Sequence, residues 1–127
     1  NINLVRQREI DIWDKLKAAD DSNYLLGAET KGSDSSQNLC GIPKGHAYSL
    51  LSLFYLKSND GEILHRMMMF RNPWAMSSYT ERWNNKDPRW TQDFISQVPL
   101  GINPLKSQKD GIFITDSTKF RFCFDDY

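Results

Sequence analysis

The sequence predicts an α+β fold, a mostly antiparallel sheet with a few short helices. Residues 47–56 are apolar on both faces, and residues 63–70 follow them after the turn-forming stretch 57–61. This pattern predicts an antiparallel hairpin with a central strand. Apolar residues at helical spacing within residues 6–19 predict one amphipathic helix. A chain of 127 residues can bury one modest core, so we expect a single unit over residues 1–127.

Shorter elements are expected before the hairpin. Residues 20–23 are polar and end the helical pattern. Residues 24–29 then predict a strand, and residues 31–38 predict a polar loop rich in Ser, Gly and Asp.

After the hairpin, Thr91 is expected to cap a short helix that ends near Val98. A loop follows, and the end of the chain predicts two closing strands, at residues 111–115 and 121–124. Between them, residues 116–118 carry a capping signal for at most one helical turn.

Composition narrows the classes of partner. Lys plus Arg equal Asp plus Glu at 16 each, so no basic surface points to nucleic acid or to an anionic membrane. No apolar run approaches the roughly 20 residues of a membrane span, and the N-terminus has no signal-peptide pattern. Two cysteines do not predict a disulfide framework, which favours a reducing, intracellular location. We therefore expect protein partners and no cofactor.

Two short motifs carry the chemistry. His46 lies in the stretch Lys44–Ser49, and Asn72 lies in the stretch Arg71–Trp74. In a Cys-His-Asn protease the histidine forms an ion pair with the thiolate and protonates the leaving amine, while the asparagine orients the ring. Because the two motifs flank the predicted hairpin, we expect His46 and Asn72 to meet at one end of it. No cysteine precedes Cys40, so a nucleophile is missing.

The chain resembles the C-terminal half of the catalytic domain of calpain-type, papain-like cysteine proteases. The resemblance covers nearly the whole chain from the first helix onward. It rests on Gly41-Ile42-Pro43-Lys44-Gly45-His46-Ala47-Tyr48-Ser49, Arg71-Asn72-Pro73-Trp74, the Trp83-Asn84…Pro88…Trp90 cluster and Asp110-Gly111-Ile112-Phe113.

By this resemblance, His46 is the catalytic histidine, Asn72 is its orienting partner, and Trp74 shields their contact from water. The resemblance implies the His/Asn half of a papain-like fold, which needs an upstream half that carries the cysteine. We therefore expect this polypeptide alone to hydrolyse no peptide. The surface around His46 and Trp74 is expected to be apolar and aromatic, since it lines a cleft against the missing half.

Other reactive or aromatic residues have simpler interpretations. We reject Cys40 as the nucleophile, because it follows a loop and no helix start is at hand to lower its pKa. Cys123 is expected to be a buried apolar residue in a strand, and His65 a surface residue of another strand. One or two residues of Met67–Met69 are expected in the core. Trp83 and Trp90 are expected to be packing residues of a loop.

Conventional members of the family bind one calcium ion in this half through acidic side chains. The matching positions here are Ser78, Asn85, Asp110 and Ile112, so Asp110 is the clearest remaining carboxylate. Calcium takes about six to eight oxygen ligands with net negative charge. We therefore expect a degraded site that binds calcium weakly or not at all.

Three interpretations remain open. The first is a working endopeptidase whose cysteine half lies upstream. We expect such a protein in the cytoplasm or associated with the cytoskeleton. The second is an inactive module that serves as a structural or docking element in a protein assembly. The missing nucleophile favours it, as do Ala75 and Glu81 at positions where the family has glycines. The third is an unrelated α+β domain with accidental motifs. The upstream sequence would separate the first two interpretations.

Overall fold

The computed structural model describes residues 2–22, 26–33, 36–72 and 79–125. Four strands form one antiparallel sheet in the order β1-β2-β3-β4, which confirms the predicted α+β class. Within these ranges no helix is long and apolar enough to cross a bilayer. In chain order the elements are helix α1 (Ile2–Asp21), strands β1 (Leu26–Glu29), β2 (Ala47–Lys57) and β3 (Ile63–Arg71), helix α2 (Gln92–Ser96), a 3₁₀ turn (Ser107–Asp110), strand β4 (Ile112–Asp116) and helix α3 (Phe120–Cys123).

The central hairpin lies where the sequence predicts it. Strand β2 pairs with β1 on one side and with β3 on the other, so it is a central strand. At the turn, the Ser58 N–H donates to the Glu62 carbonyl at 2.9 Å and the Gly61 N–H to the Ser58 carbonyl at 2.9 Å. Gly61 has a φ of 84°, a conformation that residues with a Cβ rarely adopt.

Both faces of the sheet are covered. One face packs under α1 and α3, and the other packs under the loop that contains Trp83 and Trp90. As a result Met67, Met68 and Met69 are all fully buried, although one or two were expected. Alternation along a strand sends neighbouring side chains to opposite faces, and at these three methionines both faces are covered by other residues.

Helix α1 begins at Ile2, earlier than the predicted start at Arg6. Its first turn carries exposed apolar residues that do not follow the buried stripe, which is why the sequence pattern started late. Trp13 is the buried anchor of the helix, and its indole N–H donates to the Met67 carbonyl at 3.1 Å. Ile12 and Leu16 pack partly buried beside it.

The short helix after the hairpin is confirmed as α2. The Thr91 hydroxyl accepts from the Phe94 N–H at 3.3 Å, as expected for an N-cap. The Gln97 side chain then accepts from the Lys57 N–H at 2.7 Å and donates to the Lys57 carbonyl at 3.0 Å. These two bonds join the end of α2 to the end of β2.

The prediction of a closing strand at residues 121–124 is wrong, because this segment belongs to α3. Phe120 and Phe124 are buried one helical turn apart, whereas Phe122 is 49% exposed. In a strand all three rings would share one face. The predicted cap is not the one observed: the N-cap of α3 is Lys119, without a side-chain cap bond, and Asp116 Oδ1 instead accepts from the N–H groups of Thr118 and Lys119 at 3.0 and 3.1 Å in the turn before the helix.

Cys40 and Cys123 form a disulfide, which corrects the expectation that the two cysteines stay unpaired. Both residues are buried, and their Cα atoms are 5.6 Å apart. The prediction that Cys123 is buried is confirmed, but it lies in a helix and is bonded. The sequence separation of 83 residues explains why no local pattern revealed the pair.

Candidate active site

The backbone of His46 is held at the edge of strand pairing. His46 directly precedes β2, and Thr30 directly follows β1. The His46 N–H donates to Thr30 Oγ1 at 3.2 Å, and the Thr30 N–H donates to the His46 carbonyl at 3.1 Å. Since Glu29 lies opposite Ala47 in the sheet, this pair continues the β1–β2 ladder by one residue.

Asn72 is placed by the neighbouring strands. It follows β3, is 2% exposed, and donates its N–H to the Gly111 carbonyl at 2.9 Å. Ser49 lies opposite Arg71, so the next position along brings Asn72 opposite Tyr48. Tyr48 is two residues from His46 on the same face, and diagonal neighbours of this kind are within side-chain reach.

The structure brings His46 and Asn72 together. Nδ1 of His46 lies 3.3 Å from Oδ1 of Asn72, just beyond the 2.7–3.2 Å range typical of such hydrogen bonds. A carboxamide oxygen only accepts, so the hydrogen bond requires a proton on Nδ1. Nε2 is then the ring nitrogen that can face another group. The catalytic roles assigned to the two residues stay predictions.

Tyr48 supports the histidine from the side. Its ring lies 6.1 Å from the His46 ring, centroid to centroid, and its hydroxyl donates to the Pro43 carbonyl at 2.8 Å. Burial raises the pKa of Tyr48 to about 12, against a smaller lowering by its hydrogen bond with Thr30. The phenol is therefore a neutral donor at neutral pH. Its place two residues after His46 was the only sequence signal for this role.

The loop before His46 is tied to α3. Asn38 Oδ1 accepts from the N–H groups of Cys40 and Ile42 at 2.9 and 3.4 Å, and Nδ2 donates to the Cys123 carbonyl at 2.9 Å. The disulfide joins the same two segments. Because both cysteines of the chain are in this bond, neither is free to act as a nucleophile.

The described surface beside His46 is not apolar. Exposed neighbours are Gly45, Ala47 and Ser49, with Arg71 on the adjacent strand. These residues are small or polar. Trp74, with its expected shielding of the histidine, lies outside the described residues, as does Ala75.

The expected calcium position is poor in ligands. Ser78 lies outside the described residues, Asn85 is half-buried, Asp110 is exposed and Ile112 is buried without a polar side chain. An open depression of about 610 Å³ nearby is lined by the cationic residues Arg82, Lys86 and Arg89 and by the acidic residues Glu81 and Asp87. In the part of the chain that the structure describes, no three acidic, histidine or cysteine side chains could together hold a metal. These donors do not fit calcium.

A carboxylate organises the segment that lines this depression, residues 79–91, here called the tryptophan loop. Asp87 accepts from the Trp83 N–H at 2.7 Å and from the Arg89 N–H at 3.0 Å. The Arg89 guanidinium adds contacts to both carboxylate oxygens, at 3.1 and 3.0 Å. Burial tends to raise the pKa of Asp87, but these hydrogen bonds outweigh it and hold the pKa below its usual value.

The two tryptophans of this loop are buried, as predicted. The Trp83 indole donates to Asp116 Oδ2 at 3.0 Å, and the Trp90 indole donates to the Trp83 carbonyl at 3.0 Å. Trp83 has a φ of 71°, so its backbone conformation is unusual for a residue with a side chain. The backbone N–H of Trp83 donates to Asp87 and its carbonyl accepts from Trp90, and these hydrogen bonds hold that conformation.

His65 is not the surface residue that the sequence predicts. Its ring packs edge-on against Trp83 at 4.9 Å and Phe94 at 5.8 Å, and burial lowers its pKa. The tryptophan loop and α2 fold over this part of β3, which strand alternation could not reveal.

Comparison with known proteins agrees with this geometry. Residues 1–127 match the family described as calpain family cysteine protease. Calpain-type cysteine protease DEK1 of Arabidopsis thaliana is 31% identical over 125 residues, which cover 93% of this chain and 5% of that protein. Calpain-2 catalytic subunit of Mus musculus is 31% identical over 113 residues, covering 86% of this chain and 15% of that protein.

Calpain-5 of Caenorhabditis elegans is 26% identical over 122 residues, covering 80% of this chain and 18% of that protein. The chain thus corresponds to a small part of the length of each of these relatives. The family match, however, extends over all of its residues, and the chain belongs to the calpain family of cysteine proteases.

Proposed function

We propose that this chain is the His/Asn-bearing half of a calpain-type catalytic domain and that it acts in peptide hydrolysis with a separate, cysteine-bearing half. The 3.3 Å contact between His46 Nδ1 and Asn72 Oδ1 carries the proposal. Family membership supplies the reaction class. The disulfide between Cys40 and Cys123 is the reason for assigning the thiolate to another part of the protein.

In this mechanism His46 transfers protons through Nε2. The thiolate of the other half attacks the peptide carbonyl carbon, the C–N bond breaks, and the imidazolium of His46 gives its proton to the leaving amine. A water molecule, deprotonated by His46, then attacks the thioester and releases the acid and the thiolate. Throughout, Asn72 accepts from Nδ1–H and keeps Nε2 directed at the reacting atoms.

The second candidate is an inactive calpain-like module that acts as a structural or docking element. The absence of a free thiol in this chain favours it, because a scaffold needs none. So do the cations Lys86 and Arg89 beside the former calcium position, since they remove one basis for calcium activation. The upstream half, which would carry the cysteine, separates the two candidates most directly. The intracellular location expected from composition stays a prediction, and stable disulfides are more usual in oxidising compartments.

The test is turnover of a fluorogenic peptide by the full-length protein. We expect His46→Ala to lower turnover by about 10²–10⁴-fold, the usual contribution of general acid–base catalysis. His65→Gln is the matched control, since it removes a histidine that packs against Trp83 far from the proton transfer. It should leave turnover within a few-fold of wild type.

Turnover that survives His46→Ala would refute the assigned mechanism. A wild-type protein that neither turns over peptide nor reacts with a thiol-directed active-site probe would instead support the inactive module.

A further inference from the structure

We propose that Thr30 is a positioning residue for His46, an inference that rests on the proposed function. Thr30 lies at the end of β1, is 3% exposed, and belongs to none of the motifs that carry the family resemblance. Both of its hydrogen bonds with the histidine reach the backbone of His46 and not the ring. Its side chain nevertheless decides where that backbone is held.

The contact is an altered strand pair. In a regular antiparallel pair two opposed residues exchange both N–H···O=C bonds. Here the Thr30 N–H donates to the His46 carbonyl at 3.1 Å in the usual way. The His46 N–H, however, donates to the Thr30 hydroxyl oxygen at 3.2 Å. A side-chain hydroxyl thus provides one of the two bonds that fix the histidine backbone.

The Thr30 hydroxyl has polar partners on both sides. Thr30 Oγ1 donates to the Pro43 carbonyl at 2.8 Å, an oxygen that can only accept. The lone pairs of Oγ1 then face the His46 N–H and the Tyr48 hydroxyl. Tyr48 donates to the same Pro43 carbonyl at 2.8 Å and holds it in place. The Thr30 hydroxyl therefore links the loop before the histidine to the histidine itself.

This link matters because Asn72 holds only the ring. The ring contact is 3.3 Å long, so it constrains the imidazole loosely, and the Cα position of His46 depends on the backbone bonds to Thr30. A displacement of about 1 Å in a catalytic group can cost about 10²-fold in rate. Loss of the hydroxyl should therefore act on proton transfer more than on substrate binding.

A buried threonine could also serve stability alone, so the test needs a matched control. Thr115 is fully buried in β4, and its hydroxyl is paired with the Tyr79 hydroxyl at 2.9 Å, away from His46. Thr30→Val and Thr115→Val each remove one buried hydroxyl with little change of shape. Thr30→Ser keeps the hydroxyl and is the conservative rescue.

The experiment uses the full-length protein, with peptide kinetics and amide hydrogen exchange resolved at His46. We expect Thr30→Val to lower kcat by about 10- to 100-fold with KM within about threefold. Exchange at the His46 amide should accelerate about 10-fold or more beyond any global change. Thr115→Val should lower the melting temperature similarly but leave kcat and His46 exchange near wild type, and Thr30→Ser should restore both. If Thr30→Val does not fold, Thr30→Ala removes the hydroxyl without adding a methyl group in its place and should show the same loss of kcat.

Equal effects of Thr30→Val and Thr115→Val on kcat and on His46 exchange would overturn the proposal. A loss confined to KM would also overturn it. If wild-type protein shows no turnover, the proposed function fails, and with it the catalytic part of this inference. The exchange rates then decide separately whether the Thr30 hydroxyl holds His46.

Discussion

The histidine end of the sheet and the tryptophan loop are both irregular, but they are held in different ways. At the histidine end, strand pairing places His46 and Asn72, and their side-chain contact is 3.3 Å long. In the tryptophan loop, a side chain holds the loop together: Asp87 accepts hydrogen bonds from Trp83 and Arg89 at 2.7–3.1 Å.

The two regions differ in whether the polar groups of the key side chain find their partners within this chain. Both oxygens of the Asp87 carboxylate accept hydrogen bonds from residues of the tryptophan loop itself. His46 uses one ring nitrogen within the chain, and the proposed function assigns the other to a thiolate elsewhere. We therefore expect substitutions of His46 and Asn72 to change activity more than stability, and substitutions in the tryptophan loop to do the reverse.

The largest stability effect should come from the disulfide, which tests whether the histidine end depends on a covalent tie. Closing a loop over a separation of 83 residues corresponds to roughly 4–5 kcal/mol in the chain-entropy account. We expect the double substitution Cys40→Ala and Cys123→Ala to lower the free energy of unfolding by up to this amount in denaturant titration. A reducing agent should destabilise wild-type protein and leave the double variant unchanged. Equal stability of the two proteins would show that the bond does not form.

Asp87→Ala should be the most damaging change within the tryptophan loop. It leaves the backbone N–H of Trp83 without an acceptor and the Arg89 guanidinium without its partner, at a cost of roughly 2–4 kcal/mol. Lys86→Ala, an exposed neighbour, should stay within about 0.5 kcal/mol. Peptide turnover per folded molecule should not change in either variant. A loss of turnover at full folding would break the division between the two regions.

The same carboxylate predicts a pH dependence. The pKa of Asp87 is lowered in the folded protein, so its contribution to stability is present above its unfolded pKa of about 4 and is lost as pH falls through the folded value. Unfolding measured between pH 7 and pH 3 should therefore show a steeper acid loss in wild type than in Asp87→Asn. Parallel curves would contradict the assignment.

Asn72→Ala should show the opposite behaviour at the histidine end. Loss of a hydrogen bond to a charged ring is worth about 1.5–3 kcal/mol, which corresponds to roughly 10- to 100-fold in kcat. Steady-state kinetics on the full-length protein would measure it. Thr91→Ala is a control at the exposed N-cap that precedes α2, and it should leave kcat unchanged. An Asn72→Ala variant with wild-type kcat would show that the ring needs no orienting partner.

The smallest expected effect is that of calcium on this region. A micromolar site would stabilise the folded protein by about 4 kcal/mol at millimolar calcium. We expect no such gain through Asp110, so the calcium response of the full-length protein in thermal unfolding should be the same in Asp110→Asn. If calorimetric titration shows micromolar calcium binding that Asp110→Asn abolishes, this region does hold a calcium site and the prediction is wrong.

The sequence by itself determined the hairpin and the meeting of His46 with Asn72. Both follow mainly from local rules, because a turn at Ser58–Gly61 sets the pairing of the strands on either side. Two register shifts along the hairpin then leave Ser49 opposite Arg71 at its far end. The same holds for α1, whose apolar spacing is a local property, and for the burial of Trp83.

Only the tertiary structure decided the contacts between segments that are distant along the chain. The pairing of Cys40 with Cys123, the contact of Thr30 with His46 and the packing of a half-buried His65 against Trp83 each depend on how separate elements pack. The helix at Phe120–Cys123 belongs here too, since its alternating sequence suits a strand until the core selects Phe120 and Phe124. Local sequence encodes periodicity and turns, whereas these contacts arise from the shape of a core to which all segments contribute.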